Sequence, residues 1–198
     1  MGGISLSGML LLVILAIFVD NFVYSKFLGC DPFFEVSKSP LSALCLGGVL
    51  TAVMVLVNAV TYCLYYFILV PFGLEYLKTI SFVLITISLI KVIEFILKRK
   101  VSAVYKSLGS YLPIISTSYA VLGTSLLSVQ NGYNFIYSVL FAFASGVGFT
   151  LAMLIFVGVK ERLKFSNPPK SFKGSPIVFI AAGLIAMAFM GFLGINLG

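Results

Sequence analysis

The hydrophobic residues of this chain form six long runs separated by short polar segments. The runs cover approximately residues 4–34, 41–70, 77–97, 101–129, 135–159 and 176–193. A membrane-spanning helix needs roughly 20 mostly apolar residues, so each run is long enough to cross a bilayer once. The runs are continuous and do not alternate apolar with polar residues. They therefore predict helices rather than the strands of an outer-membrane barrel.

Composition supports a membrane protein and excludes several classes of chemistry. Of the 198 residues, 61% are hydrophobic and 10% are charged. Soluble domains contain about 45–50% apolar and about 25% charged residues, so this chain differs from them in both respects. The sequence contains no His. A zinc site with His ligands and a Ser-His-Asp triad are therefore excluded within this chain.

The basic residues indicate an orientation in the membrane. Most of them fall between runs one and two, three and four, or five and six: Lys26, Lys38, Lys98, Arg99, Lys100, Lys106, Lys160, Arg162, Lys164, Lys170 and Lys173. The positive-inside rule places these segments in the cytoplasm. We therefore predict a multi-pass protein of the cytoplasmic (inner) membrane with both termini outside. The net charge of +7 is explained by this topology and by contact with anionic lipid, and we expect no nucleic-acid partner.

The first and fourth runs are interrupted by polar residues, glycine and proline. The interruptions are Asp20, Asn21, Lys26, Gly29, Asp31 and Pro32 in the first run, and Gly109, Pro113, Ser116, Thr117 and Ser118 in the fourth. These runs begin two halves of opposite orientation. We predict a single all-α integral membrane domain over residues 1–198, with six transmembrane helices in two inverted three-helix repeats, about 1–97 and 98–198. Broken helices at corresponding positions of such repeats indicate a binding site near the bilayer midplane.

Polar groups within the runs are candidates for an ion pathway, because ionisable side chains are costly inside a membrane. The candidates are Asp20, Asn21, Lys26, Asp31 and Glu94. Two alternatives stay open. The residues around Asp20 could cap a helix and pair with Lys26, and Glu94 could form a local ion pair with Lys91, three residues away on one helical face.

Polar and small residues elsewhere in the runs predict helix packing. We expect Asn58 to form an interhelical hydrogen bond. Small residues in runs two and five should let helix backbones approach closely: Gly47, Gly48, Ala142, Ala144, Ser145, Gly146 and Gly148.

Two motifs in the broken runs resemble a known family. The sequence DNFVYSKFLG at residues 20–29, followed by Pro32-Phe33, resembles the first-span motif of the Rnf A and Nqr E membrane subunits. The sequence LPIISTS at residues 112–118, followed by AVLG at 120–123, resembles the fourth-span motif of the same family. The similarity extends over essentially the whole chain.

The resemblance implies a function in redox-driven ion transport. It implies the A-type membrane subunit of an Rnf-like or Nqr-like complex that couples ferredoxin and NAD(H) redox chemistry to Na⁺ or H⁺ translocation. It also implies an inverted-topology sister subunit of the Rnf E or Nqr D type, with an iron–sulfur cluster shared through cysteines near the midplane. No catalytic residue and no nucleotide motif is found in this chain, so any NAD or flavin would bind elsewhere in the complex.

The sequence departs from the family at the two cysteine positions. They hold Asp31 and Tyr119, and Cys30 lies one residue before the first. Cys45 and Cys63 are about 27 Å apart along one helix, too far to bind one metal together. Three possibilities follow. Cys30 could hold a cluster with cysteines of the sister subunit, electrons could bypass this layer, or the complex could keep its architecture without this redox step.

Two other functions fit the same topology. The first is a non-redox six-helix substrate-binding module of a vitamin-type transporter, which has similar length and basic cytoplasmic loops. The second is a purely structural membrane subunit, which would tolerate replacement of Asp31 and Glu94.

Overall fold

A computed structural model describes residues 6–19, 21–26, 40–100, 118–163, 165–166 and 168–191. Within these ranges every regular element is helical, which confirms the predicted all-α class. The α-helices are α1 (Leu6–Ile14), α2 (Pro40–Leu64), α3 (Lys78–Lys100), α4 (Tyr119–Gln130), α5 (Phe135–Leu163) and α6 (Ser175–Met190). The candidate residues Asp20, Cys30 and Asp31 lie outside the described ranges.

Short irregular turns extend the helices. A π-helical turn, Leu15–Val19, continues α1, and a second, Tyr65–Leu69, continues α2. Gly73 and Gly132 have φ of 66° and 64°. This left-handed backbone is favourable for glycine, and it forms the turns between runs two and three and between runs four and five.

Among the described residues, three helical stretches are long and apolar enough to cross a membrane: Pro40–Leu69, Glu75–Ile96 and Phe135–Leu163. Two shorter apolar helices are Ser7–Val19 and Ser175–Met190. Helix α5 ends four residues later than the sequence predicted. Lys160 and Arg162 lie in its last turn, where basic side chains favour helix continuation and interact well with the negative end of the helix dipole.

Helices α2 and α5 form the centre of the fold and run antiparallel. Gly47 of α2 lies against Thr150 of α5, and Gly146 of α5 lies against Thr51 of α2. Each threonine hydroxyl donates to the carbonyl of the glycine four residues earlier, at 2.7 Å for Thr51 and 2.9 Å for Thr150. The pairing confirms that Gly47 and Gly146 allow close helix approach.

The other helices pack around this pair. Helix α4 contacts α2 and α5, α1 and its π-helical turn contact α5, α3 contacts α2 and α4, and α6 contacts α5. Many large apolar side chains point outward, including Phe67, Leu84 and Met187. An apolar outer surface of this kind suits a protein surrounded by lipid.

Candidate functional site

The first half of the candidate site is the turn that follows α1, residues 21–26, which we call turn 21–26. Its organising residue is Asn21, which is fully buried. The Asn21 amide donates to the carbonyls of Ile17 and Gly148, both at 2.9 Å. Its Oδ1 accepts from the backbone N–H of Val23 at 3.1 Å. Asn21 therefore ends the first helix and attaches the turn to α5.

Close approach at Gly148 makes this attachment possible. A Cβ at Gly148 would lie 3.1 Å from the Ala16 carbonyl oxygen and 3.3 Å from Asn21 Nδ2. A side chain there would push the end of the first helical segment away from α5. This confirms the prediction that Gly148 allows close backbone approach. The backbone that approaches Gly148 is the end of the first run, at Ala16 and Ile17.

The rest of turn 21–26 combines a buried aromatic anchor with a partly exposed cation. Tyr24 is buried, and its hydroxyl donates to the Ala152 carbonyl at 2.9 Å. Its ring lies 4.7 Å from that of Phe189 on α6. Lys26 Nζ is 5.8 Å from the centre of the Phe22 ring. The sequence interpretation did not identify Tyr24, although a tyrosine in an apolar run often marks a buried hydroxyl with a partner.

The second half of the site is the start of α4. Ser118 is buried in extended backbone, and its Oγ has no hydrogen-bond partner among the described residues. Tyr119, at the second family cysteine position, has 62% of its surface exposed. Ala120 and Val121 are fully buried. The helix therefore starts with its second and third residues in the core and Tyr119 outside it.

The structure brings the two halves onto the same core. Val23 and Tyr24 from turn 21–26 belong to one hydrophobic cluster with Ala120 and Val121 from the start of α4. That cluster also contains residues of α2 and α5. The described parts of the two interrupted runs, turn 21–26 and the start of α4, therefore contribute to the same hydrophobic core around α2 and α5.

Glu94 is part of a local ion pair. Its Oε2 lies 3.0 Å from Lys91 Nζ. The Glu94 side chain is 23% exposed and the Lys91 side chain is 62% exposed. This is the local pairing that the sequence left open, and it does not test a role in ion transport.

A polar cluster crosses the other end of the central helix pair. Asn58 Nδ2 donates to the Ser138 carbonyl at 2.6 Å, which confirms its predicted interhelical hydrogen bond. The hydroxyls of Ser138 and Ser128 are 2.6 Å apart. The sequence interpretation did not identify these serines, whose only signal was a polar residue within an apolar run.

Comparisons with known proteins agree with the motifs. A family described as "Rnf-Nqr subunit, membrane protein" matches residues 9–196. The chain belongs to this Rnf-Nqr family. A relative from Syntrophotalea carbinolica, the A-type subunit of an ion-translocating oxidoreductase complex, is 45% identical over 96% of this chain and 98% of its own length. A relative from Acetobacterium woodii, the A-type subunit of a Na⁺-translocating ferredoxin:NAD⁺ oxidoreductase complex, is 46% identical over 96% of this chain and 99% of its own length. The predicted family membership is thus confirmed.

The described residues do not fit an Rnf-Nqr cluster site that uses thiolates. Iron–sulfur clusters are held by Cys, with few replacements, whereas Tyr119 offers a phenol oxygen. Cys45 and Cys63 are exposed on α2. In the part of the chain that the structure describes, no group of three or more His, Cys, Asp or Glu side chains could hold a metal ion.

Proposed function

We propose that this chain is the A-type membrane subunit of a multi-subunit ion-translocating oxidoreductase complex of the Rnf type. The observation that carries this proposal is that turn 21–26 and the start of α4 share one hydrophobic cluster with α2 and α5, in a chain that is 45% identical to an A-type relative over nearly its full length. We propose that the complex couples ferredoxin and NAD(H) chemistry to Na⁺ or H⁺ movement. The name of the Acetobacterium woodii relative favours Na⁺.

The proposed topology has six spans in two inverted repeats, about 1–97 and 98–198, in the cytoplasmic membrane with both termini outside. The α2–α5 contact supports it. A Gly-x-x-x-Thr sequence lies on each helix, and each glycine meets the threonine of the other. Equivalent contacts made in opposite directions are what two inverted copies of one unit would produce.

The proposed partner is a sister subunit of inverted topology, seated against Tyr119. Tyr119 begins a helix that ends at the turn after Gln130. The 11 steps between these residues rise about 16 Å, roughly half of the ~30 Å hydrocarbon thickness. An exposed phenol at that depth needs a polar partner, because unpaired polar groups are costly in hydrocarbon. A second protein can supply one and lipid tails cannot.

We propose that this subunit contributes to ion passage without supplying a thiolate at residue 119. Asp20, Asn21, Lys26, Asp31 and Glu94 stay the predicted pathway residues. Asn21 also has a structural function, since its amide and carbonyl groups are hydrogen-bonded within the protein. The family match favours this function over the substrate-binding module of a vitamin-type transporter.

The proposal is tested in inverted membrane vesicles from a strain that lacks the chain. Uptake of Na⁺ driven by reduced ferredoxin and NAD⁺ should disappear in the deletion strain and return on complementation. Glu94→Gln and Asp31→Asn should lower uptake if these carboxylates act in the pathway. Undiminished redox-driven uptake without the chain would contradict the proposal. Unchanged uptake in both variants would indicate that the chain is a purely structural subunit.

A further inference from the structure

A cavity lies between the last turn of α5 and the first turn of α6, apart from the candidate site. Its volume is about 680 Å³. Lys160, Lys173, Ser166 and Ser175 supply its polar lining, and Leu163 and Phe179 contribute to an apolar wall. The Ser166 hydroxyl already donates to the Leu163 carbonyl at 2.8 Å. The two cations, the Ser175 hydroxyl and the apolar wall match the chemistry of an amphiphilic anion.

The charge around the cavity favours an anion. In sequence, residues 160–175 contain a single acidic residue, Glu161, and five basic residues: Lys160, Arg162, Lys164, Lys170 and Lys173. Basic residues next to a membrane attract anionic lipid, and this attraction falls off within a Debye length of the surface.

The position of the cavity along α5 favours a lipid as the source of that anion. Helix α5 has 29 residues, which is about 44 Å of helix, longer than the ~30 Å hydrocarbon layer. At least one end of α5 therefore extends beyond the hydrocarbon layer, and the basic residues Lys160 and Arg162 in its last turn favour that end. Phe165 is 90% exposed next to the cavity in sequence, and an exposed aromatic ring at this level suits the membrane interface.

We propose that this cavity binds the phosphate group of an anionic phospholipid from the cytoplasmic leaflet. Lys160 and Lys173 provide the positive charge, and the hydroxyl of Ser175 provides a neutral donor. The first acyl carbons lie along Leu163 and Phe179. The positive end of the α6 dipole adds to the attraction. The leaflet assignment rests on the orientation given under the proposed function, but the cavity itself does not.

A binding experiment on the purified full-length chain tests this site. The chain is delipidated in mild detergent, and binding of phosphatidylglycerol and phosphatidylcholine is compared by native mass spectrometry. The double variant Lys160→Gln/Lys173→Gln should bind phosphatidylglycerol roughly 25-fold more weakly, since each Lys near an anionic surface contributes about fivefold. Lys160→Arg/Lys173→Arg should keep the binding and shows that the fold tolerates replacement.

A matched control separates a built site from general surface charge. Arg99→Gln/Arg162→Gln removes the same charge from basic side chains that do not line the cavity, and should weaken binding by about fivefold or less, because these charges act on the bound phosphate from a distance and are screened. Equal losses in the two double Gln variants would overturn the proposal. Competition by inorganic phosphate as effective as that by phosphatidylglycerol would assign the site to a free anion instead of a lipid.

A second measurement distinguishes lipid from a protein partner. In the complex isolated with mild detergent, phosphatidylglycerol should remain bound after washing. A cross-link from Lys173 to an acidic segment of another subunit, with no retained lipid, would overturn the proposal. Lipid binding to the purified chain needs no redox activity, so its failure is distinct from failure of the proposed function.

Discussion

The α2–α5 contact and the start of α4 differ in how their polar side chains are hydrogen-bonded. At the α2–α5 contact, Gly47 meets Thr150 and Gly146 meets Thr51, and both threonine hydroxyls are hydrogen-bonded. At the start of α4, Tyr119 is 62% exposed and the buried Ser118 Oγ has no partner among the described residues. In the first region the threonine hydroxyls are paired within this chain, whereas the second region presents an exposed phenol, Tyr119, with which another chain could pair.

This difference explains what a sequence change would do in each region. A change at the α2–α5 contact should alter stability, because the two helix backbones cannot separate without loss of the core. A change at Tyr119 should alter association with a partner and leave the isolated chain stable. Tyr119, at a position where the family resemblance predicts cysteine, belongs to the second region because its side chain is exposed.

The largest expected effect is at Gly146. In Gly146→Ala the new methyl group would lie 2.8 Å from Thr51 Cα, so the helices must move apart, at a cost of about 2–3 kcal/mol in unfolding free energy. Unfolding in mild detergent measures it. Gly158→Ala is the matched control on the same helix, since its Cβ meets nothing within 4 Å. Equal stability of the two variants would contradict the close contact.

The same contrast can be made on α2 with neighbouring residues. Gly47→Ala places a methyl group 2.8 Å from Thr150 Cβ, whereas Gly48→Ala meets nothing within 4 Å. We expect Gly47→Ala to cost about 1–3 kcal/mol and Gly48→Ala to be neutral or slightly stabilising. Thermal unfolding of both variants in the same detergent would show the difference, and a larger loss in Gly48→Ala would reverse the assigned faces of α2.

The next effect is at Asn21. Asn21→Ala removes the bonds to Ile17, Gly148 and Val23, and the buried groups left unpaired should lower stability by about 1–3 kcal/mol. Asn131→Ala, at an exposed turn, is the control. Protease sensitivity near turn 21–26 should rise in Asn21→Ala alone. A stable variant that loses ion uptake would instead assign Asn21 to the pathway.

A smaller effect is expected at the polar cluster. A double-mutant cycle of Asn58→Ala and Ser138→Ala should give a coupling of about 0.5–1.5 kcal/mol, typical of interhelical hydrogen bonds in membranes. Asn58 Nδ2 also donates to the Ser138 hydroxyl at 3.0 Å. The Ser138 carbonyl remains in the Ser138→Ala variant and still accepts from Asn58, so the measured coupling reports the hydroxyl alone. Zero coupling would remove the hydroxyl of Ser138 from the interaction.

Much of the fold follows from the sequence because its signals are local. Continuous apolar runs set the helices, and Gly73 and Gly132 set the turns. The limits of α5 were less predictable, since Lys160 and Arg162 suit both a helix end and a polar loop. At the site, the motifs identified turn 21–26 and Tyr119. They could not reveal the bond from Asn21 to Gly148 or from Tyr24 to Ala152, because residues more than 120 positions apart meet only through the packing of α5.

The most direct test of the central claim is site-specific photo-cross-linking at residue 119 in native membranes. A photoreactive amino acid replaces Tyr119, and a control probe replaces Leu84, which is 61% exposed on α3. We expect a cross-link from residue 119 to a second membrane protein of the Rnf-Nqr family, and lipid adducts alone from residue 84. Lipid adducts alone from residue 119 would contradict the claim that the start of α4 faces a partner subunit.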